Sequence, residues 1–219
     1  AGQMSDVTTM VHEVGHAIHS FLAHPLSLSA FKEYPMEIAE VASMSMELFT
    51  MNHWQAFFDN VHDLNRAQEH QLERTITIFP WIAIIDKFQH WVYENPTHSI
   101  EERTQAWTSI AKEFSTNSID YSGLDQYRAI GWQRQLHLFE VPFYYIEYGI
   151  AQLGAIGMWM QYQKNPTLAL ENYMNALSLG GTKTLPELYQ TAGISFDFSS
   201  NYVKTLMDFT KDELEKLYQ

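Results

Sequence analysis

The chain has 219 residues, 46% of them hydrophobic, enough to fill a sizeable core in one large domain or two small ones, and too apolar for a disordered chain. Its formal charge of -13, from 26 acidic and 13 basic residues, argues against nucleic acid or an anionic membrane as a partner, since both demand clustered Lys and Arg. The absence of cysteine excludes disulfides and thiolate chemistry, so a metal would have to be held by His and carboxylate groups.

Apolar residues recur at three and four positions in nearly every segment, and the expectation is an all-α fold, with room for a minor β element at the N-terminal edge. Ser5 or Asp6 is expected to cap a first helix that runs to Ala23, where His24-Pro25 ends it. A loop leads to a second helix opening near Pro35 with Glu37 in its first turn, through "EIAEVASMSMELF". Amphipathic stretches follow at about 54 to 94, interrupted or kinked at Pro80, and at about 99 to 115. "SIDYSGLD" reads as a loop, and a further helical region spans about 124 to 163 with Pro142 inside it. "SLGGT" (178 to 182) ends the next helix, and two shorter ones, from Pro186 and from about Ser199, complete the chain. No repeat or linker divides the sequence, so one domain over 1 to 219 is expected. No apolar run reaches membrane-spanning length, no signal peptide is visible, and the lack of cysteine suits a reducing, cytoplasmic setting. The chain opens with Ala1-Gly2-Gln3, as a fragment or a processed chain would.

"VHEVGHAIHS", residues 11 to 20, carries the chemistry. At 3.6 residues per turn His12 and His16 project from one face, so two imidazole nitrogens can converge on one tetrahedral ion. Glu13 is offset by about a quarter turn or slightly more, and reaches a water at that ion rather than the ion itself, the place of a general base. His-Glu-x-x-His on a helix is the established pattern of zinc peptidases. The third ligand must come from another element, and Glu40 on the second helix is the candidate, flanked on nearly the same face by Glu37 and Glu47. Glu37 and Glu47 could be solvated surface groups. Glu47 could instead accept a hydrogen bond from a ligating histidine and orient it. A di-iron bundle needs two Glu-x-x-His helices; only Glu13 to His16 fits, with Asp59 to His62 as the nearest second candidate. His24, His53, His62, His70 and His98 lie near polar stretches or helix ends and read as structural or solvent-facing, and Asp86 with His90 reads as a hydrogen-bonded pair.

"HLFEVPFYYIEYG", from His137, offers imidazole and phenol donors for the oxyanion that develops when an amide is hydrolysed. His137, Tyr144, Tyr145 and Tyr148 are all candidates. Tyr145 and Tyr148 can share a helical face, whereas Tyr144 should point elsewhere. The commoner use of tyrosines at helical spacing is a core helix with satisfied hydroxyls.

Taken together, "HEVGHAIHS", "EIAEVASMSMELF" and "HLFEVPFYYIEYGIAQLGA", with "DKFQHWVYENP" and "DYSGLDQY", resemble the oligoendopeptidase F and Pz-peptidase branch of the thimet-oligopeptidase-like zinc metallopeptidases. The resemblance extends from about residue 5 to the end of the chain. It implies a helical catalytic lobe, one zinc held by His12, His16 and Glu40, and Glu13 as general base. It gives Glu47 the part of supporting a zinc-ligating histidine, and it favours His137 and Tyr148, then Tyr145, as groups that bind substrate and oxyanion. Short peptides would be the substrates. Members of this family are longer, with an N-terminal lobe that forms the other wall of a channel, so the resemblance is to their C-terminal catalytic part. Two readings follow: a zinc oligoendopeptidase, or a zinc-loaded chain, inactive without that lobe, that only binds peptides or partners. The exposed channel face would favour association with the missing lobe or with itself.

Overall fold

The structure, a computed structural model, describes residues 3–116 and 119–218. Its α-helices are α1 (Met4–Ala23), α2 (Met36–Thr50), α3 (Val61–Glu94), α4 (Ile100–Glu113), α5 (Asp125–Ala129), α6 (His137–Glu140), α7 (Ile146–Lys164), α8 (Pro166–Ser178), α9 (Leu185–Thr191) and α10 (Ser200–Lys216), with single 3-10 turns at Ser29–Lys32, Met51–Ala56 and Gly131–Arg134. No strand occurs among the described residues, and α1 begins one residue after the first of them, so the minor β element is not found there. The chain forms two compact units, one up to Ile76 and again from Ile150, the other Thr77–Gly149. The unit boundaries fall within α3 and α7.

Local chemistry accounts for most helix ends. The residue that caps α1 is Gln3 rather than Ser5 or Asp6, both of which lie in the first turn; the Asp6 carboxylate accepts the Gln3 backbone N–H at 2.9 Å. Ser99 and Glu102 form a reciprocal cap at α4, and Asn165 caps α8 ahead of Pro166. The stretch expected as one helix from 54 begins instead with a 3-10 turn, and α3 starts at Val61, where the Asn60 side chain accepts the Asp63 N–H. Its helix then runs without a break through Pro80. The helical region expected from 124 to 163 is broken into α5, a 3-10 turn, α6 and α7. Pro142 cannot supply the backbone N–H a helix requires, and Phe143 takes φ 59°, a left-handed conformation that ends any continuation from α6. The "SIDYSGLD" loop is found as a loop from Ile119; Ser118 lies outside the described residues.

In the first unit α2 is the central helix: every residue from Ile38 to Ser45 is buried. It packs against α1, α8 and α9. Two close approaches require glycine. A Cβ on Gly154 of α7 would lie 2.7 Å from the Val41 side chain, and one on Gly15 of α1 would lie 2.5 Å from Ser43 Cα and 2.7 Å from the Ala42 carbonyl oxygen. Gly15 sits inside the His-Glu-x-x-His motif, so its missing side chain is what lets the histidine helix touch the backbone of the glutamate helix. Alanine in place of glycine ordinarily stabilises a helix by about 1 kcal/mol. Here the sign should reverse, because backbone atoms cannot move aside as a flexible side chain can. Gly15→Ala is expected to cost about 1–3 kcal/mol or more in thermal or denaturant unfolding and to weaken metal uptake. A stabilised, metal-competent variant would contradict this packing.

The second unit is built on an aromatic core of Ile84, Ile85 and Phe88 from α3 with Trp107 and Ile110 from α4. Trp107 meets Phe88 at 5.1 Å and Trp81 at 6.0 Å between ring centroids, both edge-on, and its indole N–H donates to the Arg128 carbonyl.

Candidate active site

In the first unit, His12 and His16 stand on adjacent turns of α1 with ring centroids 4.9 Å apart, and Glu40 faces them from α2. His12 Nε2 lies 3.5 Å from Glu40 Oε2, and His16 Nε2 lies 4.0 Å from Glu40 Oε1. One ligand atom from each of the three residues lies within 4.8 Å of the others, the spacing of a shared ion. Glu40 is only 6% exposed and accepts a hydrogen bond from Ser43 Oγ at 3.0 Å. Among the described residues no Lys or Arg pairs with it. A buried carboxylate without a compensating cation is costly, and a divalent ion between these three side chains would supply one. The donor set therefore fits a metal on the structure's own terms.

The far nitrogen of His12 decides how its ring is used. His12 Nδ1 meets Glu47 Oε1 at 2.6 Å, so Nδ1 carries the proton and donates it. That leaves the Nε2 lone pair turned toward Glu40. Glu47 Oε2 in turn accepts from Gln71 Nε2 at 2.6 Å. The relay Gln71, Glu47, His12 thus sets tautomer and ring orientation together. Burial lowers the His12 pKa, but the Glu47 hydrogen bond and the charges of Glu47, Glu40 and Glu13 outweigh it and leave the value raised. Glu13 is exposed on α1, and among the described residues none donates a hydrogen bond to it. Glu37, the other acid considered on this face, is half-buried in the first turn of α2.

Below His16, His19 is fully buried with both ring nitrogens unpartnered, its ring stacked on Tyr34 at 3.5 Å between centroids. Burial, and then the charge of His16, pulls its pKa down from 6.5 to about 4. Between those values the unfolded chain binds a proton that the folded chain refuses. The contribution is therefore complete above pH 6.5 and falls away as pH drops toward 4, by about 3 kcal/mol at most. His19→Phe keeps a ring against Tyr34 without a titrating group. Thermal melts of the metal-free variant should lose less stability than the metal-free parent across that window. Parallel curves would remove His19 from the account.

His137, Tyr144, Tyr145 and Tyr148 gather in the second unit. Their rings lie 5.8, 5.0 and 5.7 Å from His137, in that order. Tyr144 does not point away, because α7 starts only at Ile146 and the two residues ahead of it leave helical register. Gln135 fixes the state of His137. Its Oε1 accepts the Trp81 indole N–H at 3.1 Å, so its Nε2 is the donor facing His137 Nδ1 at 2.6 Å. His137 must then carry its proton on Nε2, which lies 3.5 Å from the Tyr148 hydroxyl. Burial, offset in part by the Trp81 side chain, raises the Tyr145 pKa, so its hydroxyl stays protonated and able to donate.

Gln71, Ser43, Gln135 and Trp81 are the working residues that sequence reasoning missed. Ser43 lies one turn from Glu40 and could have been found by that spacing. Gln71 and Trp81 are far along the chain from the groups they orient, and nothing local marks them. Of the set-aside histidines, His98 accepts from Arg103 Nε, and His90 lies 3.6 Å from Asp86 one turn away.

An all-helical frame in which two histidines and a glutamate from neighbouring helices converge, one histidine backed by a carboxylate, is a candidate metal centre of the His-Glu-x-x-His class. The chain belongs to peptidase family M3, which it matches over residues 3–208. It is similar to the oligoendopeptidase F homolog of Borreliella burgdorferi, 21% identical over 98% of this chain and 37% of the relative. It is also similar to the chromosomal oligoendopeptidase F of Lactococcus lactis subsp. cremoris, 22% identical over 100% of this chain and 36% of the relative. Among solved structures, Pz peptidase A with an inhibitor aligns at a TM-score of 0.90 and 32% identity, over 98% of this chain and 38% of that one. The chain thus spans a little over a third of the length of the relatives it matches.

Proposed function

We propose that this chain carries the zinc centre of an endopeptidase that hydrolyses short peptides. The observation behind the proposal is the convergence of His12, His16 and Glu40, with the far nitrogen of His12 held by Glu47. Two neutral imidazoles and one carboxylate are a donor set of catalytic zinc, with a fourth position left for water or substrate. When bound, zinc would polarise the scissile carbonyl and make a neighbouring water more acidic. Glu40 brings the negative charge of the set, and Ser43 holds its carboxylate in place. Glu13, exposed on α1, accepts the proton of the attacking water at a carboxylate oxygen and returns it to the leaving amine. No covalent intermediate is needed.

Within the second unit, His137 Nε2–H and the hydroxyls of Tyr148 and Tyr145 form a group of donors of the kind that binds substrate and an oxyanion, the role the family resemblance gives them. Support for that role comes from the family resemblance and from the relay of Trp81 and Gln135, which leaves His137 with its proton on the nitrogen nearer Tyr148. Peptide substrates follow from the oligoendopeptidase names of the relatives. Among the described residues no helix is long and apolar enough to cross a membrane.

The test is metal content together with hydrolysis of a quenched fluorescent oligopeptide by this chain. One zinc per chain, with hydrolysis abolished by a chelator and restored by zinc, is the expected result. A chain that takes up no zinc would overturn the proposal.

A further inference from the structure

The second unit contains a cavity of about 200 Å³ lined by none of the residues assigned to the metal centre. Its walls include Phe88, Tyr93, Trp132 and Phe139, and two polar side chains, Gln89 and Arg103, also line it. Gln89 is 3% exposed. Its Oε1 accepts the Phe143 backbone N–H at 2.9 Å, which fixes the orientation of the amide. The Nε2 group is therefore a donor, and it is buried without a partner. A buried donor left unpaired is unfavourable, and an acceptor entering the cavity would relieve it.

Arg103 sets the sign of the guest. Its Nε donates to His98 Nε2 at 2.7 Å, while His98 Nδ1 donates to the Asn95 carbonyl, so His98 is held as the tautomer that accepts from arginine. The guanidinium lies over the Trp132 ring at 5.5 Å. Among the described residues no carboxylate pairs with it. Aromatic walls alone would suit a cation, but a cation already stands there. A guanidinium held by His98 and an unpaired amide N–H among the residues lining one cavity suit a carboxylate instead. A dry cavity of about 150 Å³ accepts benzene, so this volume holds one ring with a short arm.

We propose that this cavity binds an aromatic carboxylate, its ring against Phe88, Trp132 and Phe139 and its carboxylate on Arg103 and Gln89 Nε2. The guest is either a free aromatic acid or the C-terminal aromatic residue of a peptide. Because the site shares no residue with the metal centre, it stands or falls apart from the peptidase proposal.

The experiment titrates the metal-free chain with 3-phenylpropionate, with N-acetyl-phenylalanine and with N-acetyl-phenylalanine amide, following the Trp132 indole N–H by NMR. At least one acid should give a saturable shift while the amide binds about tenfold more weakly or worse, and Arg103→Gln should bring acid and amide to the same affinity. Binding of 3-phenylpropionate alone identifies a free acid as the guest; binding of N-acetyl-phenylalanine identifies a peptide terminus. Equal binding of acid and amide to the unmodified chain would overturn the proposal, as would the absence of any saturable shift, and neither depends on a variant folding.

Discussion

Glu13→Gln is expected to lower peptide hydrolysis by about 10²–10⁴-fold while zinc uptake stays near that of the parent. The substitution keeps size and shape but removes the basic oxygen. Glu13 is exposed and no described residue donates a hydrogen bond to it, so neither packing nor a polar network should change. It lies on α1 between the two histidines but off their face, so the His12, His16 and Glu40 cluster does not include it. The decisive comparison is metal stoichiometry against turnover in one preparation. Full turnover in Glu13→Gln would remove the general-base assignment. Loss of zinc along with activity would instead make Glu13 a ligand.

Glu40→Gln should act in the opposite manner, removing zinc while leaving the fold intact. Glu40 is the one charged member of the proposed ligand set, and a neutral amide is a far poorer partner for a divalent cation. The fall in affinity should exceed the 10–100-fold expected for Glu47→Ala, which removes only the group that orients His12. Stability should move both ways. In the parent, added zinc should raise the melting temperature by mass action, and this rise should nearly vanish in Glu40→Gln. Without metal, at alkaline pH where the histidines are neutral, the variant should be at least as stable as the parent, since it no longer buries a carboxylate lacking a cation. Calorimetry with and without zinc checks both signs. A metal-free variant less stable than the metal-free parent would mean that Glu40 is held by protein contacts rather than kept for an ion.

The sequence by itself determined the helical class, the end of α1, the start of α2, and the face shared by His12 and His16. These are local matters: the 3.6-residue repeat, Pro25 after Ala23 and Pro35 before Met36 act within a turn or two of the residues they govern. The family resemblance was equally legible, because its motifs are short and contiguous. Only the tertiary structure decided why the motif contains Gly15, since the reason is the backbone of Ser43 on another helix. Likewise, only the structure showed that Gln71 locks Glu47 onto His12 and that Trp81 acts through Gln135 on His137. Those partners are brought together by folding, and hydrogen bonds between distant residues leave no periodic mark on the chain. The break at Pro142 shows the same limit on a smaller scale. Proline announced that helix might end there, but whether α6 and α7 stayed one rod depended on Phe143, whose N–H is taken by buried Gln89 and whose ring packs against His90 and Tyr93.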